Sequence, residues 1–324
     1  MTGILPRLYL FFYCLMISCT LSAQKNAVNY VEEAITLMKK NSVNKGTVDW
    51  TKLSEEALAS AADKGTAREA YPIITKSLEL LQDQHSGFYP PEMVSAYMKR
   101  YTESGLEFPY SKDSLINGQL AYLSVPAIGN LNQDDWKLYV SDFYKKIKAL
   151  DARNPKAWIL DLRDNDGGMF SPMFKAVQPF LDSEKAVGSI DNSGRTSYYA
   201  NRKNDVLFGQ TVIATIEVPA ITLQHKKIPI YILVSKKTAS SGEFVTAAFA
   251  GQKNTTIIGT HTQGLTSDNS EFRMSDGAIL KLTTGILVNR KGDQYKEVGK
   301  GIAPDRYVKS KNLQDYITVL PENH

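Results

Sequence analysis

An α/β core built on a largely parallel sheet is predicted from three observations. Two apolar runs, AWILDL at 157–162 and PIYILVS at 229–235, show no polar alternation, as expected of strands buried on both faces. Each leads through a glycine- or serine-containing loop into a stretch with helical spacing. A third feature, Asp276-Gly277 between two strand-like runs over 271–285, signals a hairpin.

The elements follow in chain order. Val31, Ala34, Ile35 and Met38 recur at helical spacing over 28–40, and Tyr71, Ile74, Leu78 and Leu81 over 67–82. Residues 24–100 therefore read as a small helical subdomain. The polar stretch 101–118, with Gly105, Pro109 and Gly118, reads as a linker. From 119 to 320 the pattern is that of the core domain. QLAYLSVPAIG opens it as a strand, and 134–150 is an amphipathic helix with Trp136, Val140, Phe143, Ile147 and Leu150 on one side. After the strand at 157–162, Gly167-Gly168 opens a helix running to about Leu181. The strand at 229–235 precedes a helix over 241–251, and TTIIG at 255–259 is a short strand. Strands alternating with helices give the α/β assignment.

Residues 1–23 have a secretory layout: Arg7, an apolar run from Leu8 to Leu21, and small residues before Gln24. The run is shorter than a comfortable transmembrane span of about 20 residues. The reading is an exported protein, periplasmic or secreted. A retained anchor and lipid attachment at Cys19 are the rival readings. Both cysteines, Cys14 and Cys19, lie in this segment, so cleavage after Ala23 leaves no thiol chemistry. The net charge of +4 on 324 residues, with no basic cluster, argues against nucleic acid as a partner.

Three segments could carry chemistry. KTASSGEF (237–244) sets Ser240 and Ser241 at a helix start, where free backbone N–H groups can stabilise an oxyanion. The same position also suits a serine that only caps the helix. AWILDLRDNDGGMF (157–170) ends a strand in a glycine-containing loop able to offer N–H groups to a carbonyl oxygen. Its three aspartates do not make a calcium loop, because Leu162 falls where the first ligand is required. LQDQHSGFYPPEM (81–93) holds His85 at the end of a helical stretch, and a serine nucleophile needs such a base. His261, nearer in sequence to Ser240, is the rival base.

In order and spacing these segments resemble the family of C-terminal processing (tail-specific) peptidases, tricorn core peptidases and retinoid-binding-protein-like repeats. The resemblance rests on ILDLRDNDGG, on TASSGE, on Gly259-Thr260-His261-Thr262-Gln263-Gly264, on the Asp276-Gly277 strand pair and on Gly301-Ile302-Ala303-Pro304-Asp305. It covers about 119–306 plus the histidine segment. It implies a ClpP- or crotonase-like spiral of ββα units, with Ser240 as nucleophile and the Ser241 and Gly167 amides as oxyanion donors, Gly168 being the less favoured choice. Processing peptidases use a lysine where this chain has Leu265, so the resemblance points instead to the tricorn-like branch and to His85 as base. In that branch a glutamate completes the relay, and Glu297 stands one residue off its expected place; Asp83 is the alternative.

The implied activity is a serine-type peptidase acting on peptides or unfolded proteins, with no cofactor and no metal. A lipid anchor and a homo-oligomer are compatible with it. About 33 residues separate His85 from the strand at 119, too few for a PDZ domain. The alternative function is a non-catalytic protein that binds a hydrophobic ligand on the same fold.

Overall fold

The structure, a computed structural model, describes residues 26–83 and 85–321. The expected secretory segment 1–23, with Cys14 and Cys19, lies outside the described residues.

The chain opens with helices. Asn26 caps α1 (Ala27–Asn41), and Asp49 caps α2 (Trp50–Ala61). Their side-chain oxygens accept the amide hydrogens that the first helical turn cannot satisfy internally. α3 (Tyr71–Glu79) completes this layer. Tyr30, Val31, Ala34 and Met38 of α1 bury one apolar stripe against Leu53 and Ile74. The same cluster includes Met274, Ala278, Leu280 and Leu282 from the hairpin described below, so the helices share a core with the sheet. Tyr30 and Tyr71 both donate their hydroxyls to Asp276 at the tip of that hairpin, at 2.6 and 2.5 Å.

Strand β1 (Gly87–Tyr89) and helices α4 (Pro91–Tyr97) and α5 (Tyr101–Ser104) follow. Residues 101–118 differ from the linker expected of their composition. They carry α5 and then β2 (Asp113–Ile116), which pairs antiparallel with β3 (Leu120–Ser124) as the edge of a sheet. The strand is short and half exposed, so it lacks the apolar run that marks the buried strands.

α6 (Gln133–Asp151), capped by Asn132, leads to β4 (Ala157–Asp161), every residue of which is buried. α7 (Phe170–Val177) starts two residues after the paired glycines. Four strands then form an antiparallel run: β5 (Val187–Asp191), β6 (Thr196–Arg202), β7 (Asp205–Phe208) and β8 (Thr211–Thr215). None of these four is marked by a continuous apolar run in the sequence: β6 and β8 keep exposed side chains, and β5 and β7, though none of their residues is exposed, are short and include polar residues. β9 (Ile230–Val234), α8 (Ser241–Phe249) and β10 (Thr255–Gly259) follow. β11 (Ser267–Arg273) and β12 (Ile279–Asn289) form the hairpin around Asp276-Gly277. β13 (Arg306–Tyr307) and α9 (Leu313–Ile317) close the described chain.

The strands make two sheets. One has six strands in the order β13-β10-β9-β4-β3-β2, parallel from β13 to β3. The other has seven, in the order β1-β12-β5-β6-β7-β8, with β11 also paired to β12. The α/β architecture is therefore present, with α6, α7 and α8 packed in one large core with the parallel sheet. The three central strands β4, β9 and β10 end side by side, and the loops that leave them meet at one place. In open parallel sheets this edge is where ligands bind.

Candidate active site

The loop leaving β9 turns at Ser240. Its backbone has φ 50° and ψ −120°, a left-handed conformation rarely adopted by a residue with a side chain. Such a residue stores about 1–3 kcal/mol of strain, and the surroundings must hold it in place. Here Glu243 does so. Its Oε2 accepts the Ser240 N–H at 3.0 Å. Its Oε1 accepts the Thr262 hydroxyl at 2.5 Å and the Gly264 N–H at 2.8 Å. Glu243 is fully buried. Burial pushes its carboxyl up, and these donors pull it back down. The glutamate thereby ties the turn at Ser240 to the loop that leaves β10.

The glycine loop after β4 meets this turn. Asn165, buried, donates to the Val125 carbonyl at 2.8 Å, and its Oδ1 accepts the Gly167 N–H at 3.0 Å. The Asn165 carbonyl accepts the Ala239 N–H at 3.1 Å. A Cβ on Gly167 would lie 3.0 Å from the Ser240 Cβ, and one on Gly168 would lie 2.3 Å from the Ile128 carbonyl oxygen. Both glycines have positive φ, so the close approach and the backbone together demand them.

His85 comes from the other side of the molecule. It lies between α3 and β1, in a turn where Asp83 Oδ1 accepts the backbone N–H groups of His85 and Ser86 at 3.0 and 2.5 Å. Pairing of β1 with β12 (Gly87 opposite Lys281) fixes that turn over the sheet. The result is a direct contact: His85 Nε2 stands 2.9 Å from Ser240 Oγ, across 155 residues of sequence. The Ser240 side chain is thus engaged by the histidine. On the far side of the ring, Nδ1 stands 2.8 Å from the Ser267 Oγ of β11. For Nε2 to accept the Ser240 proton, Nδ1 must carry the hydrogen and donate it to Ser267. Burial, and then the nearby Lys281 ammonium, pushes the His85 pKa down to about 4.

Five amides crowd the turn. The Gly242 and Glu243 N–H groups bond to Ala239 and Ser240 carbonyls, and that of Gly167 bonds to Asn165. The N–H groups of Ser241, first residue of α8, and of Gly168 have no acceptor among the described residues. Both residues line the cleft of about 430 Å³ that holds Ser240 and His85. The expectation for the oxyanion donors therefore shifts from Gly167, whose amide is already used, to Gly168. The Ser241 hydroxyl donates to the Gly168 carbonyl at 2.7 Å, which joins the two loops.

Glu297 stands apart from this group. Its carboxylate pairs with Lys300 at 2.7 Å on the exposed surface, so the expected relay through it is corrected. Ser267 occupies the position behind the histidine. Asp83 holds His85 through its backbone. His261 is exposed and faces the Lys300 carbonyl at 3.2 Å. Asp161 is occupied by Arg163 and Tyr122, and Asp164 by Lys237. A separate cavity of about 310 Å³ beside Tyr144 and Phe174 is lined by none of the residues around Ser240.

A strained serine at a helix start, in contact with a histidine and beside unpaired amides, is the arrangement of a serine hydrolase on an α/β frame. The chain belongs to Peptidase family S41, whose profile matches residues 119–308. It is 25% identical over 279 residues to the nisin-resistance protein of Lactococcus lactis subsp. lactis, covering 85% of this chain and 81% of that one. It is 29% identical over 182 residues to the chloroplastic carboxyl-terminal-processing peptidase 2 of Arabidopsis thaliana, covering 56% of this chain and 32% of that longer protein. A lipoprotein from Streptococcus agalactiae has the same fold, with a TM-score of 0.74, 22% identity and coverage of 91% of this chain and 96% of that one. Membership of the family makes the protein a peptidase at the level of the family.

Proposed function

We propose that this chain is an exported serine peptidase in which Ser240 is the nucleophile and His85 the general base. The single observation that carries the reading is the 2.9 Å contact between Ser240 Oγ and His85 Nε2. That distance is within the reach proton transfer requires.

In the proposed reaction His85 Nε2 takes the Ser240 proton as Oγ attacks a peptide carbonyl. The carbonyl oxygen becomes an oxyanion held by the Ser241 and Gly168 amides, with the positive end of α8 behind it. The tetrahedral carbon then expels the amine, which receives its proton from His85, and Ser240 is left as an ester. Water gives a proton to His85 and attacks that ester, releasing the acid and restoring Ser240. Ser267 keeps the ring in the tautomer these steps require. No step calls for a metal or a cofactor.

Export rests on the 1–23 segment and on the names of relatives: one is a nisin-resistance protein, another a lipoprotein. No helix among the described residues is long and apolar enough to cross a membrane. The test is cleavage of a broad peptide library, read by mass spectrometry. Products should form with the wild-type protein and vanish in Ser240→Ala and in His85→Ala. Absence of any cleavage, with a hydrophobic ligand co-purifying, would favour the binding-protein reading instead.

A further inference from the structure

The cleft beside Ser240 is chemically uneven. One wall is aromatic. Phe170 and Tyr199 have ring centroids 4.7 Å apart, Phe170 and Phe244 5.7 Å, and Tyr199 and Phe244 6.2 Å. Beside that wall is Asp268, the residue after Ser267, whose Oδ1 accepts the Tyr199 hydroxyl at 2.8 Å. Three charged residues line the cleft among those described: Asp268, Glu271 and Lys281. Glu271 and Lys281 stand directly opposite one another on β11 and β12, where opposite charges offset. Among the described residues Asp268 has no such partner. Tyr199, Ser189 and the Asn269 backbone act on it as donors, and no described lysine or arginine does. Burial pushes its carboxyl up, as expected of an acid shielded from water and lacking a cation.

We propose that this subsite takes a lysine or arginine side chain of the peptide substrate, with its stem on Phe170, Tyr199 and Phe244 and its charged head on the Asp268 carboxylate. The inference rests on the reading of this cleft as a peptide-binding site. The chemistry fits each part of the side chain. Aromatic faces attract a cation and accept the methylene stem of a long basic residue. The carboxylate has lone pairs left for a charge-assisted hydrogen bond. An aliphatic side chain of the same length would cover the acid without supplying a partner, which costs free energy and creates selectivity.

Binding is measured in the Ser240→Ala variant, so that the readout does not depend on turnover. Fluorescent peptides, otherwise neutral, carry lysine or norleucine at one scanned position, and affinity is read by anisotropy. At one position lysine should bind about tenfold tighter than norleucine, and Asp268→Asn should reduce that ratio to about twofold or less. Lysine no tighter than norleucine at any position, or a ratio that survives Asp268→Asn, overturns the subsite. Should the double variant not fold, n-butylammonium and 1-butanol are compared as competitors of the lysine peptide in Ser240→Ala. Stronger displacement by the ammonium supports the proposal, and equal displacement overturns it. Failure of the peptidase reading would show separately, as lysine-selective binding by a protein whose wild-type form cleaves nothing.

Discussion

Ser267 Oγ lies 2.8 Å from His85 Nδ1, on the opposite side of the ring from Ser240. A neutral hydroxyl here can orient the ring and fix its tautomer. It cannot stabilise the imidazolium by charge as a carboxylate would. Ser267→Ala should therefore lower kcat by about 10- to 100-fold, part of the roughly 100- to 10,000-fold that general-base catalysis supplies, and leave KM nearly unchanged. Ser267→Thr, which keeps the hydroxyl, should recover most of the rate. Steady-state kinetics on one peptide substrate checks both, and equal losses in the two variants would remove the hydroxyl from the account.

The acid limb of kcat/KM should fall near the depressed His85 value of about 4, well below the ordinary histidine range. Burial is the larger cause and the Lys281 ammonium the next. Lys281→Gln should thus move the limb upward. A pH–rate profile of both proteins checks this, and a wild-type limb at about 6.5 would contradict it.

The same depression predicts how stability depends on pH. Between about 4 and about 6.5 the unfolded histidine binds a proton that the folded one does not. Through that window this group makes stability rise with pH, and its penalty is fully developed below the folded value. Thermal melting of wild type and His85→Gln across the window should show the wild type losing more on acidification. Parallel curves would contradict the burial of the ring.

Glu243 joins the Ser240 backbone to Thr262 and Gly264 through three hydrogen bonds. Glu243→Gln leaves at least one of these donors facing an amide nitrogen in a buried site. The cost should be about 1–3 kcal/mol, the penalty for an unsatisfied buried group. Denaturant unfolding measures it. A loss below about 0.5 kcal/mol, typical of surface changes, would mean the network relaxes freely.

The sequence made the parallel core legible because its strands are continuous apolar runs: AWILD and IYILV are buried at every position. The same signal was absent from β2 and β8, which lie at sheet edges with exposed side chains, so the stretch 101–118 read as a linker and the strands around 187–215 left no clear mark. In the site, the TASSGE and DLRDNDGG segments pointed to Ser240 and the glycine loop. Pairing with His85 was reachable only through resemblance, since β1–β12 pairing brings the two together across the fold. The part played by Ser267 was not legible. An isolated serine in a polar strand carries no spacing signal, and its role arises only from where β11 meets the histidine turn. Gly167 and Gly168 look equivalent in sequence, and only the Asn165 side chain, by occupying one amide, separates them.

The central claim, that His85 activates Ser240 as a nucleophile, is tested most directly by labelling with a fluorophosphonate and locating the adduct by mass spectrometry. An adduct should form on Ser240 in the wild-type protein and in Ser241→Ala. None should form in Ser240→Ala, and the labelling rate should fall by about 100-fold or more in His85→Ala. An adduct on Ser241, or labelling of Ser240 that proceeds equally fast without His85, would contradict it.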